Sequence, residues 1–299
     1  MKKILFFLVL ATIILSGTIA QEPINITQDS LRIGNNLVPG ISVNIPEAGY
    51  ETTLKDWIKI QQSGTKSTVV TENEEMTIFG AIIKDISANP VNIYSKLSGK
   101  DSALNLQVAI ELKKDLFIEK SSGEDEFLKA RNFLHNFARD EYIGIVNQQV
   151  KAEEKKLRDL EKELSSLQRN QAGMEKSARS GYKTISSEKE KLIGLNNELT
   201  SLSAAILEHN SQLSRMPDGD VKDEKTDYVK DLEKQKKKTT RAIKSSEKKI
   251  SKAENVINKT QRDLPKNDRY QGKAQDQLSD QEAVLQRYVD KLNTIKGYK

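Results

Sequence analysis

Between Val150 and Met216 apolar residues recur at alternating steps of three and four, which draws one narrow stripe along an α-helix. The seam runs Val150, Glu153, Leu157, Leu160, Leu164, Leu167, Gln171, Met174, Ala178, Gly181. It continues Ile185, Glu188, Leu192, Leu195, Leu199, Leu202, Ile206, His209, Leu213, Met216. Fifteen of these twenty positions are apolar, and the intervening residues are mostly Lys, Glu, Ser, Gln and Asn, so the helix needs a second helix along its seam. At a rise of about 1.5 Å per residue the stretch predicts a rod of roughly 100 Å.

Met216-Pro217-Asp218-Gly219-Asp220 then reads as a turn. A second seam starts at Val229 and Leu232 and passes through Ile243, Ile250, Ala253, Ile257, Leu264, Ala274 and Leu285 to Leu292 and Ile295. Thirteen of its twenty positions are apolar, which makes it the weaker arm. Pro265 ordinarily ends or kinks a helix, yet the spacing passes through it without a phase slip. The favoured reading is one antiparallel hairpin, with 145–216 outgoing, 217–220 turning and 221–299 returning. The alternative is a third helix starting near Pro265. Mirroring the arms about the turn places Gln171 near Leu264 and Gly181 near Ala253. Gln171, Glu188, Asn267 and Gln271 are polar seam positions of the kind that fix alignment and oligomer state.

Ahead of the hairpin the period changes from helical to two. Ile41, Val43 and Ile45 alternate as in a half-buried strand, and Leu104, Leu106, Val108, Ile110 and Leu112 do so most clearly. Short strands are also expected near 67–71, 76–83 and 91–97. Residues 47–62 place Tyr50, Leu54, Trp57, Ile58 and Gln61 on one helical face. Glu124-Asp125-Glu126 opens a second helix whose apolar face is Phe127, Ala130, Leu134 and Phe137. No break signal separates it from the long seam, so one continuous helix is expected. The predicted fold is α+β: a small antiparallel-sheet head over 40–144 followed by a long antiparallel coiled-coil hairpin. Residues 21–39, polar and rich in Asn, read as a linker.

Composition narrows the function classes. Of 299 residues, 36% are hydrophobic, 30% charged and 5% aromatic, which suits a small core and long solvated helices. Cysteine is absent, which excludes disulfides, thiolate metal sites, a cysteine nucleophile and a lipoprotein anchor. Residues 1–20 read as a secretory signal: Lys2 and Lys3, an apolar run from Ile4 to Leu15, then small residues up to a cleavage point after about Ala20. The apolar run is too short to span a bilayer, so no stable membrane span is expected after cleavage, and the mature protein is expected in the periplasm or outside the cell. The net charge of +5 is uneven: residues 21–144 hold 13 Lys/Arg against 18 Asp/Glu, and residues 145–299 hold 33 against 25.

The order of features carries a resemblance. Val38-Pro39-Gly40-Ile41-Ser42-Val43-Asn44-Ile45-Pro46-Glu47 enters a Trp57-bearing helix, Ile83-Lys84-Asp85-Ile86-Ser87-Ala88-Asn89-Pro90-Val91 follows, and a Lys/Glu coiled coil closes the chain. This resembles a group of uncharacterised secreted proteins of Bacteroidetes-type bacteria. The resemblance implies a Gram-negative envelope and supplies no catalytic residues.

Candidate chemistry is sparse. His135 lies near Asp140 and Glu141 and could be drawn as a general base, but it stands beside Leu134 and Phe137 as a packing residue would. His209 falls on the seam. Glu72, Glu74 and Glu75 cluster in what reads as a solvated turn. No phosphate loop, nucleophile elbow or zinc motif is present, and neither a cofactor nor a metal site is expected. The strongest feature is Lys230–Lys252, with ten Lys/Arg against three Asp/Glu. From it Lys234, Lys237, Lys238, Arg241, Lys244, Lys248 and Lys249 form a candidate basic partner-binding patch; the bland alternative is a solvated coil face. Nucleic acid is disfavoured by the export signal and by the lack of interleaved aromatics. The expected function is that of a non-enzymatic envelope scaffold or adaptor acting on protein partners, with homo-oligomerisation through the coil also open. A periplasmic holdase, by architectural analogy with Skp-type proteins, is the alternative, and a head that binds a small ligand or is catalytic is a third.

Overall fold

A computed structural model of the protein describes residues 23–72, 74–100, 103–121 and 123–298. The segment read as a signal, with its cleavage point, lies outside them. The fold is α+β, an antiparallel seven-stranded sheet with two long helices packed as a hairpin. The strands are β1 (Ile26–Ile33), β2 (Asn36–Pro46), β3 (Val70–Glu72), β4 (Glu75–Ala81), β5 (Val91–Lys100), β6 (Ala103–Lys113) and β7 (Leu116–Phe117). The helices are α1 (Tyr50–Gln61), α2 (Glu124–Leu213) and α3 (Asp220–Lys296). Two compact units divide the chain: one takes the described residues through Lys156 together with those from Gln281 onward, and the other is Leu157–Asp280.

In the first unit the sheet order is β1-β2-β6-β5-β4-β3, with β7 beside β6. The alternation expected at 41–45 and 104–112 is realised: Ile41 pairs with Val108, Val43 with Leu106 and Ile45 with Leu104, so six apolar side chains share one face. That face buries Trp57 of α1 and Ala130, Leu134 and Phe137 of α2 in one core. Trp57 stacks at a tilt on Phe137, with centroids 5.0 Å apart, and its indole N–H donates to Ser95 Oγ at 2.9 Å. A buried indole without such a partner would leave a costly orphan donor.

The stretch read as a linker is corrected here, because residues 26–33 form β1 and residues 36–39 begin β2. The pairing runs from Ile26↔Val43 to Ile33↔Asn36, and Gly34 takes the left-handed conformation (φ +59°) that closes the turn. Only Leu31 of β1 is buried, so the strand is held by backbone hydrogen bonds, with Gln107 Nε2 donating to Asp29 at 2.7 Å. An edge strand of this kind carries almost no alternation to read.

The same unit contains the end of α3. Leu292 and Ile295 pack on Tyr142 and Val146 of α2. Glu47, at the corner after β2 and with φ +58°, accepts hydrogen bonds from Lys291 and from Gln149 (2.9 Å) and Tyr142 (3.4 Å). Lys291 is almost completely buried and lies over the Tyr142 ring at 5.4 Å.

In the second unit α2 and α3 face each other along the two predicted seams. α3 continues through Pro265 as a single helix, which removes the three-helix alternative. The pairs Lys249–Glu188 on one side of Pro265 and Asn267–Leu167 O on the other keep one antiparallel register. Gly181 sits against Ala253 and Ile257 as the mirrored alignment expects: a Cβ placed there would meet Ile257 Cγ1 at 3.0 Å. The arms approach closely because this position has no side chain. Gln171 departs from the simple mirror. It accepts from Gln271, one heptad beyond Leu264, because the long amides reach along the seam to satisfy each other.

Candidate interaction surface of the hairpin

The seam positions of α3 fix where its other residues point. With Val229, Leu232, Thr239, Ser246 and Ala253 buried against α2, the heptad places Lys234, Arg241 and Lys248 on the side away from it. Lys237 and Lys244 fall one row over, and Lys238 and Lys252 beside them. All seven are exposed. Lys236, on the seam, is exposed too, as a lysine whose stem packs while its ammonium reaches water should be.

Ion pairing divides the predicted patch. Lys234 is paired to Asp231 one helical turn earlier, at 2.8 Å. Lys249 reaches across the hairpin to Glu188 at 2.6 Å. The Lys249 ammonium holds the Glu188 carboxyl below the usual carboxylate range. Lys249 is therefore a cross-arm contact rather than a free member of the patch. Lys237, Lys238, Arg241, Lys244 and Lys248 have no ion-pair partner among the described residues and form an outward cationic band.

Pattern reading missed a second feature on the flank where the arms meet. The flanking positions of α2 are Asn170, Ser177 and Thr184, seven apart and all short. Across from them stand Lys249, Val256 and Asp263 of α3. The short side chains leave a shallow groove, with a recess of about 590 Å³ lined by Lys176, Ser177, Gly181, Lys252 and Val256. A second recess of about 490 Å³ shares Ser177 and Val256 with it and adds Arg169, Gly173 and Lys259. Arg169, Lys176 and Lys259 lie outside the Lys230–Lys252 window. The seven-residue spacing of the short flanking residues was the signal that could have found them.

The other candidates are placed as follows. His135 is half-buried, and burial, then Arg139 and Arg131, push its pKa down; no carboxylate among the described residues bonds it. His209 lies edge-on to Tyr228 with centroids 5.1 Å apart, near the turn. Glu72 pairs with Glu75 in the β3–β4 hairpin, and Glu74 stands 3.7 Å from Lys96. A cleft of about 530 Å³ between α1 and α2 is lined by Asp56, Asp85, Asp140 and Glu141 with Lys59 and Arg139. Burial, then Asp56, push the Glu141 carboxyl up, although Thr53 donates to it. Among the described residues no group of three or more His, Asp or Glu is placed to hold a metal ion, and no helix is long and apolar enough to cross a membrane. The chain matches no protein-family model, and it matches no curated protein.

Proposed function

We propose that the protein is an exported, non-enzymatic scaffold or adaptor of the cell envelope, and that its hairpin is a docking arm for an acidic protein partner. One observation carries this reading. Seam amides and hydroxyls bond within the chain at Gln271–Gln171, Asn267–Leu167 O and Thr239–Glu198, while five cations of the outward band have no ion-pair partner among the described residues. The hairpin does not need that band in order to fold, so the band is free to act outward. The export part of the reading rests on the N-terminal sequence pattern alone.

A holdase is the second reading, favoured by Ile193 and Leu207 on α2, which are 65% and 74% exposed. Exposed apolar side chains beside a cationic surface suit transient capture of unfolded chains. Crosslinking of the full chain in envelope extracts separates the two. One stoichiometric partner supports the adaptor, many unfolded outer-membrane proteins support the holdase, and no crosslinked product at low salt contradicts both.

A further inference from the structure

The groove has the form of a seat for a third helix. Its floor is made of Gly173, Ser177 and Gly181 on α2 and Ala253 and Val256 on α3, with Val256 43% exposed. Each rim carries two cations one heptad apart: Arg169 and Lys176 on α2, Lys252 and Lys259 on α3. None of the four has an ion-pair partner among the described residues. The carboxylate that lines the groove, Asp263, is already engaged by Arg262 at 3.3 Å and Lys266 at 3.7 Å. The stretch from Arg169 to Thr184 corresponds to about 22 Å, or roughly four helical turns.

We infer that this groove receives an acidic amphipathic helix of the partner, closing a local three-helix bundle. The inference rests on the docking-arm reading and deepens it by stating where the partner sits and what it looks like. Two parallel helical walls accept a helix rather than an extended strand, whose unpaired backbone groups would find no donors or acceptors between them. The shallow floor of small side chains admits apolar residues repeating every three and four positions. Cations one heptad apart on both rims call for carboxylates flanking that stripe in successive heptads, on both of its edges. A basic or uncharged helix would leave four ammonium or guanidinium groups facing no counter-charge.

The test uses the full chain and a designed peptide of about 20 residues, apolar along one stripe and flanked by Glu, with a second peptide carrying Lys in place of Glu. Binding is read by fluorescence anisotropy. The Glu peptide is expected to bind wild type and the Lys peptide to fail. Ser177→Trp fills the groove without altering a charge and is expected to weaken the Glu peptide at least about tenfold, or about 1.4 kcal/mol. Lys176→Glu, Lys252→Glu and Lys259→Glu together should abolish it. Lys237→Glu, Lys238→Glu and Lys244→Glu together, on the outward band, should leave this short peptide within about twofold. Circular dichroism melts establish that each variant is folded, and Ser180→Trp, on the same groove, replaces Ser177→Trp if that chain fails to fold. If the filled groove binds the Glu peptide as wild type does while the outward-band variant loses it, the groove is wrong and the docking arm stands. If wild type binds neither peptide, the groove inference is overturned, and the docking arm is judged by envelope retention alone. Wild type that dimerises in sedimentation, with Ser177→Trp monomeric, makes a second copy the occupant and equally overturns it.

Discussion

Gln271 donates its side-chain amide to Gln171 Oε1 at 2.6 Å across the hairpin seam and lies within 2.6 Å of Asn267 Oδ1, while Asn267 reaches the Leu167 carbonyl at 3.2 Å. Coiled-coil seams lose stability to such amides and gain a single alignment from them, because any shift leaves buried polar groups unpaired. Replacing Gln171 and Gln271 together with Leu is therefore expected to raise the melting temperature and to loosen register. The cysteine-free chain allows spin labels at Arg179→Cys and Ser251→Cys. Their distance distribution should be single in the parent and broader or multiple in the double-Leu variant. A hotter-melting variant with an unchanged single distance would show that the amides do not set the alignment.

Pro265 lies 45 residues into α3 and cannot donate the hydrogen bond its position requires. In a continuous helix Pro265→Ala should add up to about 3 kcal/mol of stability, since interior proline is that much worse than alanine. Chemical denaturation monitored by circular dichroism measures it. A change within error would mean that Pro265 sits at a first helical turn, where its missing donor costs little.

The Glu47–Lys291 pair joins residues 244 apart in sequence. Lys291→Met leaves Glu47 half-buried and still bonded by Gln149 and Tyr142, so it is expected to cost about 1–3 kcal/mol, and Glu47→Gln with Lys291→Met together less than the two single changes added. Burial alone would raise the Glu47 pKa, but hydrogen bonds from Lys291, Gln149 and Tyr142 outweigh it and hold the carboxyl below its ordinary 4.5. A depressed carboxylate contributes stability that is fully present above its unfolded value and lost as pH falls through the folded one. Urea midpoints should thus fall below about pH 4.5 more steeply in wild type than in Glu47→Gln. Parallel curves would remove Glu47 from the acid response.

The two halves of the chain were legible to different degrees. Where a period runs long enough, sequence shows the element: the two seams, the alternation at Leu104–Leu112 and the acidic start at Glu124 all stand where expected. β1 was not legible because an edge strand with one buried side chain has no alternation. The Glu47 corner was invisible because its partner arrives from the far end of the chain. The candidate surface was half legible. The Lys-rich window shows in the sequence, but which lysines stay free depends on register, and heptad position decides that Lys249 meets Glu188 while Lys244 has no ion-pair partner among the described residues. Arg169, Lys176 and Lys259 join the surface only once the flanks of two arms are set side by side.

The most direct test of the docking arm is the salt-dependent retention of envelope proteins on immobilised wild type and on the variant Lys237→Glu, Lys238→Glu, Lys244→Glu, Lys248→Glu. Lys249 is left in place because reversing it would set a second carboxylate against Glu188 and disturb the hairpin itself. The four chosen side chains are exposed, so each change should shift stability by no more than about 0.5 kcal/mol, which a thermal melt verifies. The account predicts that wild type retains a discrete partner at low salt, loses it as screening shortens to about 8 Å near physiological ionic strength and below that at higher salt, and that the folded variant retains none. Equal, salt-insensitive retention by the two proteins would contradict it and would make the band a solvated coil face.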